Sequence, residues 1–133
     1  MKSILLACVL LSFAAFGCGG KKVPMNASTS VPAAAGHADI GTDKNGNTTV
    51  DLKVHHLAKP EALTPPASAY VVWIQPSGQS PQNQGRLQVN SNLDGEYKTN
   101  TPYKKFDLFV TAENNPQATT PSGPEVMRQQ VSR

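Results

Sequence analysis

The sequence predicts an all-β fold, a small antiparallel immunoglobulin-like β-sandwich, and three observations support this prediction. Apolar and polar residues alternate with a period of two in most segments, which is the pattern of strands with one face in a core. Turn-forming residues interrupt these segments about every 8–12 residues, as in sandwich folds. After the first residues of the chain, no segment keeps the period of an amphipathic helix.

The first two predicted strands form a hairpin. The segment HADI is a short strand, and the turn TDKNGN leads into TVDLKVHHL. Asn45 and Gly46 are a strong turn signal because both residues tolerate a positive φ. The letters DKNGN also resemble the start of a calcium loop, but the later bidentate glutamate of such a loop is missing at the required spacing. The turn is therefore favoured. The core-facing residues of the second strand are Val50, Leu52 and Val54.

The segment AYVVWIQP, residues 69–76, is apolar on both faces, so it predicts a central strand that is covered on both sides. It carries Tyr70 and Trp73, the single tryptophan of the chain. We interpret both side chains as core residues, because aromatic rings dominate core energetics. The alternative is that Tyr70 and Trp73 line a surface for a partner. Four further strands are predicted at RLQVN, EYKT, FDLFVTAE and EVMRQQV.

Residues 1–17 are predicted to be a cleaved export signal. Lys2 supplies a positive charge, and an apolar run from Ile4 to Phe16 follows. This run is shorter than the roughly 20 residues that a membrane-spanning helix needs. The leader is therefore left out of the fold prediction.

The leader ends in Ala15-Phe16-Gly17 directly before Cys18, which resembles the lipobox of bacterial lipoproteins, although Ala15 and Phe16 differ from the residues usual there. The resemblance implies cleavage before Cys18 and attachment of diacylglycerol to its sulfur, with fatty acyl chains such as palmitate. Two or three acyl chains hold a protein firmly on a membrane. The expected location is the extracytoplasmic side of a membrane, facing the periplasm in a Gram-negative cell, with the inner and outer membranes both open. The alternative is an ordinary cysteine beside a secretory cleavage site.

Residues 18–36 are predicted to be a lipidated N-terminus and flexible linker, because this segment is rich in small residues and proline. Its Lys21 and Lys22 either contact anionic head groups or serve solubility. The β-sandwich domain is expected at 37–133 and should fold alone from about Gly36, without a disulfide. Acids and bases of that domain nearly balance, which argues against a nucleic-acid surface.

Several segments together resemble the extracytoplasmic C-terminal domain of anti-sigma-K-type factors, over about two thirds of the chain. In that family these motifs are structural rather than catalytic. Its members also have a cytoplasmic helical domain that binds a sigma factor and a transmembrane helix, and neither pattern occurs in this sequence. The resemblance therefore implies a sensor-side domain alone, without sigma-factor binding. The matching residues are Tyr70 with Trp73, Phe106 with Val110, Thr111 and Glu113, and Ser122-Gly123-Pro124.

Histidine, serine and acidic residues give no pattern of a catalytic or metal site. His55 and His56 are adjacent in a strand, so their side chains point to opposite faces, and His37 adds one ligand at most. The sequence has no Ser-His-Asp constellation, no carboxylate pair and no glycine-rich phosphate loop. We therefore expect no enzymatic activity, no cofactor and no metal.

Three classes of function remain open. The first is a binding or sensor module of the cell envelope that contacts another envelope protein. The second is a structural envelope lipoprotein without a discrete ligand. The third, which the ligand count disfavours, is a small carrier of a metal or another ligand.

Overall fold

The computed structural model describes residues 20–133 of the chain. Within this range the only helical element is the 3-10 turn η1, Pro60–Ala62, and no helix is long and apolar enough to cross a membrane. The strands are β1 Lys21–Ala27, β2 Ala35–Thr42, β3 Thr48–His55, β4 Ala69–Pro76, β5 Gln82–Leu87, β6 Gly95–Thr101, β7 Lys105–Glu113 and β8 Glu125–Ser132. All pairings are antiparallel, in the order β5-β4-β7-β8-β1-β2-β3-β6.

The strands form two layers that pack around one apolar core. One layer contains β1, β2, β3 and β6, and the other contains β5, β4, β7 and β8. Alternate residues of β3 point inward as predicted, since Val50, Leu52 and Val54 are at most 2% exposed. This arrangement confirms the predicted all-β, sandwich-like fold. Facing core residues of the second layer include Val72, Ile74 and Leu108.

β1 joins the two layers, so the flexible linker predicted for 18–36 is wrong over most of its length. Residues 21–25 pair with β2 in the first layer, and Asn26 and Ala27 pair with β8 in the second. Val23 and Met25 are buried in the core. The domain therefore begins at about residue 20 rather than 37, because β1 supplies both backbone hydrogen bonds and core side chains.

The edge strands β5 and β6, one in each layer, also approach each other. The hydroxyl of Tyr97 on β6 donates to the carbonyl oxygen of Gln84 on β5, and Thr99 Oγ1 donates to Gln84 Oε1 at 2.9 Å. β5 begins at Gln82, earlier than the predicted strand RLQVN. The core is thus closed on this side by side-chain contacts.

β4 spans the same residues as the predicted central strand, and it is covered on both faces as predicted. Its outward residues Val71 and Trp73 are fully buried. The segment between β7 and β8, residues 114–124, runs over them, and Ala118 of that segment packs against the cluster. Asn83 Nδ2 of β5 fixes this segment by donating to the carbonyl oxygens of Pro116 and Ala118, at 3.0 and 2.8 Å.

Candidate functional site

Three loops meet at the end of the sandwich opposite to the start of β1. They are residues 28–34 between β1 and β2, residues 56–68 between β3 and β4, and residues 88–94 between β5 and β6. Because neighbouring strands are antiparallel, these three connections lie at one end of the strands. We call this the groove end.

The three loops form an open groove with a volume of about 740 Å³, which is within the range of ligand sites in proteins. Most of its lining is apolar, and a few uncharged polar groups are contributed by Thr29, Ser30, Thr64 and Asn92. His56 is the only titratable side chain of the lining. The groove therefore favours an uncharged, largely apolar ligand. The principal apolar residues are Val31, Pro32, Ala33, Leu57, Leu63 and Leu93.

Two residues of the groove have a strained backbone. His56 has φ 57° and Leu93 has φ 64°, a region that costs a residue other than glycine roughly 1–2 kcal/mol. The amide of Leu57 donates to the carbonyl oxygen of Leu93 at 3.0 Å, so the two strained positions are tied together. Strain of this kind persists only where surrounding contacts enforce it, and it concentrates at functional sites.

Tyr70 is a core residue that supports the groove through a hydrogen bond, and it does not form an exposed surface for a partner. Its side chain is fully buried, and its hydroxyl donates to the carbonyl oxygen of Ala58, a groove residue, at 2.8 Å. Burial raises the pKa of Tyr70 to about 12, so the phenol stays protonated as a donor. The interpretation of Tyr70 as a core residue is confirmed, and the alternative of a partner surface at this residue is wrong.

Trp73 is likewise a core residue, as interpreted from the sequence, and it is fully buried on the outer face of β4. Its ring stacks on Phe109, with centroids 6.2 Å apart, and the Arg128 guanidinium lies 4.0 Å from the Phe109 centroid. Trp73 Nε1 donates to Thr111 Oγ1 at 2.8 Å, and Thr111 Oγ1 donates to Glu113 Oε1 at 2.6 Å. A partner surface at Trp73 is therefore excluded in this structure.

Glu113 ends this chain of hydrogen bonds and fixes the covering segment 114–124. Its carboxylate is 1% exposed and accepts from Ser122 N at 3.0 Å, Ser122 Oγ at 2.7 Å and Gly123 N at 3.1 Å. Burial alone would raise the pKa of Glu113, but the hydrogen bonds from Thr111, Ser122 and Gly123 outweigh it and lower the pKa. A Cβ at position 123 would lie 1.6 Å from the carbonyl oxygen of Ala112, so only glycine fits there.

These contacts assign a structural role to the residues that carry the resemblance to anti-sigma-K-type domains. Trp73, Thr111, Glu113, Ser122 and Gly123 form one hydrogen-bonded network, with Glu113 buried at its centre, that holds 114–124 on β4 and β7. We call it the Glu113 network. None of its polar groups faces the groove.

The DKNGN segment forms a hairpin turn, as favoured from the sequence. Asp43 Oδ1 accepts from the amides of Asn45 and Asn47 at 2.9 Å each, and Asp43 Oδ2 accepts from Asn47 Nδ2 at 3.1 Å. Gly46 has φ 83°, which the turn requires. The Asp43 carboxylate is thus used by the turn itself.

The histidines do not converge on one point. His55 Nδ1 lies 3.0 Å from Asp94 Oδ1, His56 lines the groove, and His37 Nε2 lies 3.8 Å from Asp39 Oδ2. Among residues 20–133, no group of three or more His, Cys, Asp or Glu side chains is placed to hold a metal ion.

Cys18 and the predicted signal peptide, residues 1–17, lie outside the described residues.

No protein-family model and no curated protein matches this chain.

Of the groove residues, the sequence patterns single out only His56. They do so because histidine is a possible metal ligand, and not because the residue lines a groove. The lining residues 31–33 come from VPAAA, whose composition is typical of a linker, and Leu63 comes from a proline-rich loop. The positive φ of Leu93 is the clearest local mark of the site, and it is visible only in the structure.

Proposed function

We propose that this protein is a lipid-anchored, non-catalytic binding module of the bacterial cell envelope. A diacylglycerol on Cys18 holds the domain on the extracytoplasmic face of a membrane, and the groove binds a segment of a second envelope protein.

The observation that carries this proposal is that β1 follows Cys18 directly, while the groove lies at the opposite end of the strands. Only Gly19 and Gly20 separate Cys18 from β1. An extended residue spans about 3.3–3.6 Å, so a lipid on Cys18 keeps the start of β1 within about 10 Å of the membrane. The far end of β1 leads into 28–34, the first segment of the groove. The anchor thus presents the groove away from the membrane.

The lining of the groove supports an uncharged polypeptide segment as its ligand. The groove is open to solvent, and its lining combines apolar residues with the hydroxyl and amide groups of Thr29, Ser30, Thr64 and Asn92. An extended segment with small apolar side chains matches this surface, because its backbone can hydrogen-bond to Thr29, Ser30 and Asn92 while its side chains contact Val31 and Leu63.

Acylation is tested by replacing Cys18 with serine and labelling growing cells with a fatty-acid analogue. We expect the original chain to incorporate the label and to fractionate with membranes, and Cys18→Ser to do neither. A Cys18→Ser chain that still takes up label and stays with membranes would show that the anchor is not on Cys18.

Binding is tested with a photo-crosslinking amino acid at Ala33 or Ala62, two exposed residues of the groove, in intact cells. We expect both positions to capture the same envelope protein. The control position is Ser80, an exposed residue at the other end of the strands. Leu63→Asp, which places a charge in the groove, should abolish capture at both positions. Capture that is equal at Ser80 or insensitive to Leu63→Asp contradicts the proposal, and an absence of adducts favours a purely structural lipoprotein.

A further inference from the structure

Basic residues are gathered at the end of the sandwich where β1 starts. This end carries the turns 43–47, 77–81 and 102–104, together with the first residues of β1 and β7 and the residue that follows β8. All of its basic side chains are exposed. We call this surface the basic end, and its cations are Lys21, Lys22, Lys44, Lys104, Lys105 and Arg133.

These cations have little compensation from acidic groups. Asp43 is the only acidic side chain in the turns of the basic end, and its carboxylate is occupied by Asn45 and Asn47. Among residues 20–133, neither Lys44 nor Lys104 nor Lys105 has an acidic group within salt-bridge distance. Lys22 has an acidic partner, Asp39 Oδ1 at 3.9 Å, but the three lysines of the turns and of β7 are held near one another without an ion-pair partner among residues 20–133.

Arg133 and Lys21 tie the elements of the basic end into one surface. Arg133 donates to Thr42 Oγ1, Thr48 Oγ1 and the Gly46 carbonyl oxygen, at 2.7, 3.0 and 2.8 Å, and its amide donates to the Lys104 carbonyl oxygen at 2.9 Å. Lys21 Nζ lies 3.5 Å from the carbonyl oxygen of Ser132. The turns that carry Lys44 and Lys104 are thus joined through Arg133.

The groove end has no comparable excess of one charge. Glu96 lies opposite Lys53 in the register of β3 and β6, and Glu125 forms an ion pair with Arg128 at 2.8 Å. Its other acids, Glu61 and Asp94, are matched in number by Lys59 and Arg86. The basic end therefore differs from the groove end by its excess of cations.

We propose that the basic end lies against the anionic head groups of the membrane that carries the lipid anchor. This inference rests on the proposed anchor at Cys18 for its position, since Gly19 and Gly20 hold the basic end within about 10 Å of the lipid surface. That distance is close to the Debye length at physiological salt. Each lysine or arginine near an anionic membrane raises the partition of the protein onto that membrane roughly fivefold. The basic end therefore fixes which way the anchored domain faces.

The test uses the chain from Cys18 onward, which contains every described strand, with its thiol capped so that no lipid attachment enters the measurement. Its partition is measured on vesicles of phosphatidylcholine alone and on vesicles that also contain phosphatidylglycerol. We expect binding to the anionic vesicles only, and release at about 1 M salt, where the Debye length is about 3 Å.

Two triple variants locate the surface. Replacing Lys44, Lys104 and Lys105 with glutamine should weaken partition onto anionic vesicles roughly 100-fold. The matched control replaces Lys59, Arg86 and Lys98 with glutamine, which removes the same charge elsewhere and should change partition far less. Circular dichroism establishes that both variants are folded, and single substitutions replace any variant that is not.

Equal losses in the two triple variants, equal binding to neutral vesicles, or binding that persists at high salt would each overturn the basic end as a membrane surface. Failure of acylation at Cys18 in cells would instead overturn the proposed function, because the vesicle measurement contains no lipid anchor. The two outcomes are thus distinguishable.

Discussion

At the scale of single residues, Glu113 makes the stability of the domain depend on pH. Its carboxylate is buried but accepts hydrogen bonds that keep its pKa below the ordinary value of 4.5. A group with a lowered folded pKa stabilises the fold above its unfolded pKa, and that contribution is lost as the pH falls through the folded pKa. We therefore expect the melting temperature to fall as the pH drops below about 4.5, the window that this direction of shift defines.

Glu113→Gln should remove this acid-sensitive contribution and lower the free energy of unfolding at pH 7 by about 1.5–3 kcal/mol, because hydrogen bonds to a charged group are lost. Thermal unfolding from pH 3 to pH 8 checks both expectations. Glu61→Gln is the control, since Glu61 is exposed on η1. Parallel pH profiles for the original chain and Glu113→Gln would contradict the role given to Glu113.

Trp73 contributes to the stability of the domain mainly through packing. Trp73→Ala leaves a cavity between β4, Phe109 and the covering segment, and such truncations cost about 3–5 kcal/mol. We expect a large drop in melting temperature, and a smaller one for Trp73→Phe, which keeps the stacked ring but loses the hydrogen bond to Thr111. Trp73 fluorescence should be blue-shifted and poorly quenched in the folded chain. A red-shifted emission, with unchanged melting temperature in Trp73→Ala, would show that the ring is exposed.

At the scale of elements, β1 decides where the domain begins. A chain starting at residue 20 keeps all eight strands and should show a β-rich circular dichroism spectrum with cooperative unfolding. A chain starting at Gly36 lacks β1, so β2 and β8 lose their shared neighbour and the core loses Val23 and Met25. We expect this shorter chain to be unfolded or aggregated. Cooperative unfolding of both chains at similar temperatures would show that β1 is dispensable for folding of the domain.

Strands with a clear alternation were predictable from the sequence, and β1 was not. β3, β4, β6, β7 and β8 contain the predicted segments almost entirely. β1 has only Val23 and Met25 as a periodic signal, and Pro24 between them argues against a strand. Pro24 is accommodated because residues 21–25 pair with β2 on one side while β8 pairs only with Asn26 and Ala27. That arrangement depends on partners distant in sequence, so no local pattern encodes it.

The two surfaces for which a function is proposed, the groove and the basic end, were unpredictable for the same reason. The groove combines three loops, and the basic end combines lysines from separate turns that are dispersed along the sequence. Only the strand order places them together. By contrast, burial of Trp73 followed from the absence of a polar face on β4, which is a local property of the sequence.

At the scale of the whole molecule, the proposed lipid anchor and the proposed membrane contact of the basic end predict the orientation of the domain on a membrane. Single cysteines are introduced at Ala33 in the groove or at Lys104 in the basic end, and the anchored chain is treated with a membrane-impermeant maleimide. We expect Ala33→Cys to react as fast on anionic membranes as in detergent, and Lys104→Cys to react several-fold more slowly on the membranes. Equal protection at both positions would show that the domain has no preferred orientation.

β1 is also the strand through which tension on a lipid at Cys18 would enter the domain. Its backbone is paired with β2 from Lys21 opposite Ile40 to Met25 opposite Gly36. A pull along the strand therefore loads these hydrogen bonds in shear, all together, rather than opening them one after another. Because the far end of β1 is also bonded to β8, a force between the proposed membrane anchor and a partner in the groove would be divided between both layers of the sandwich.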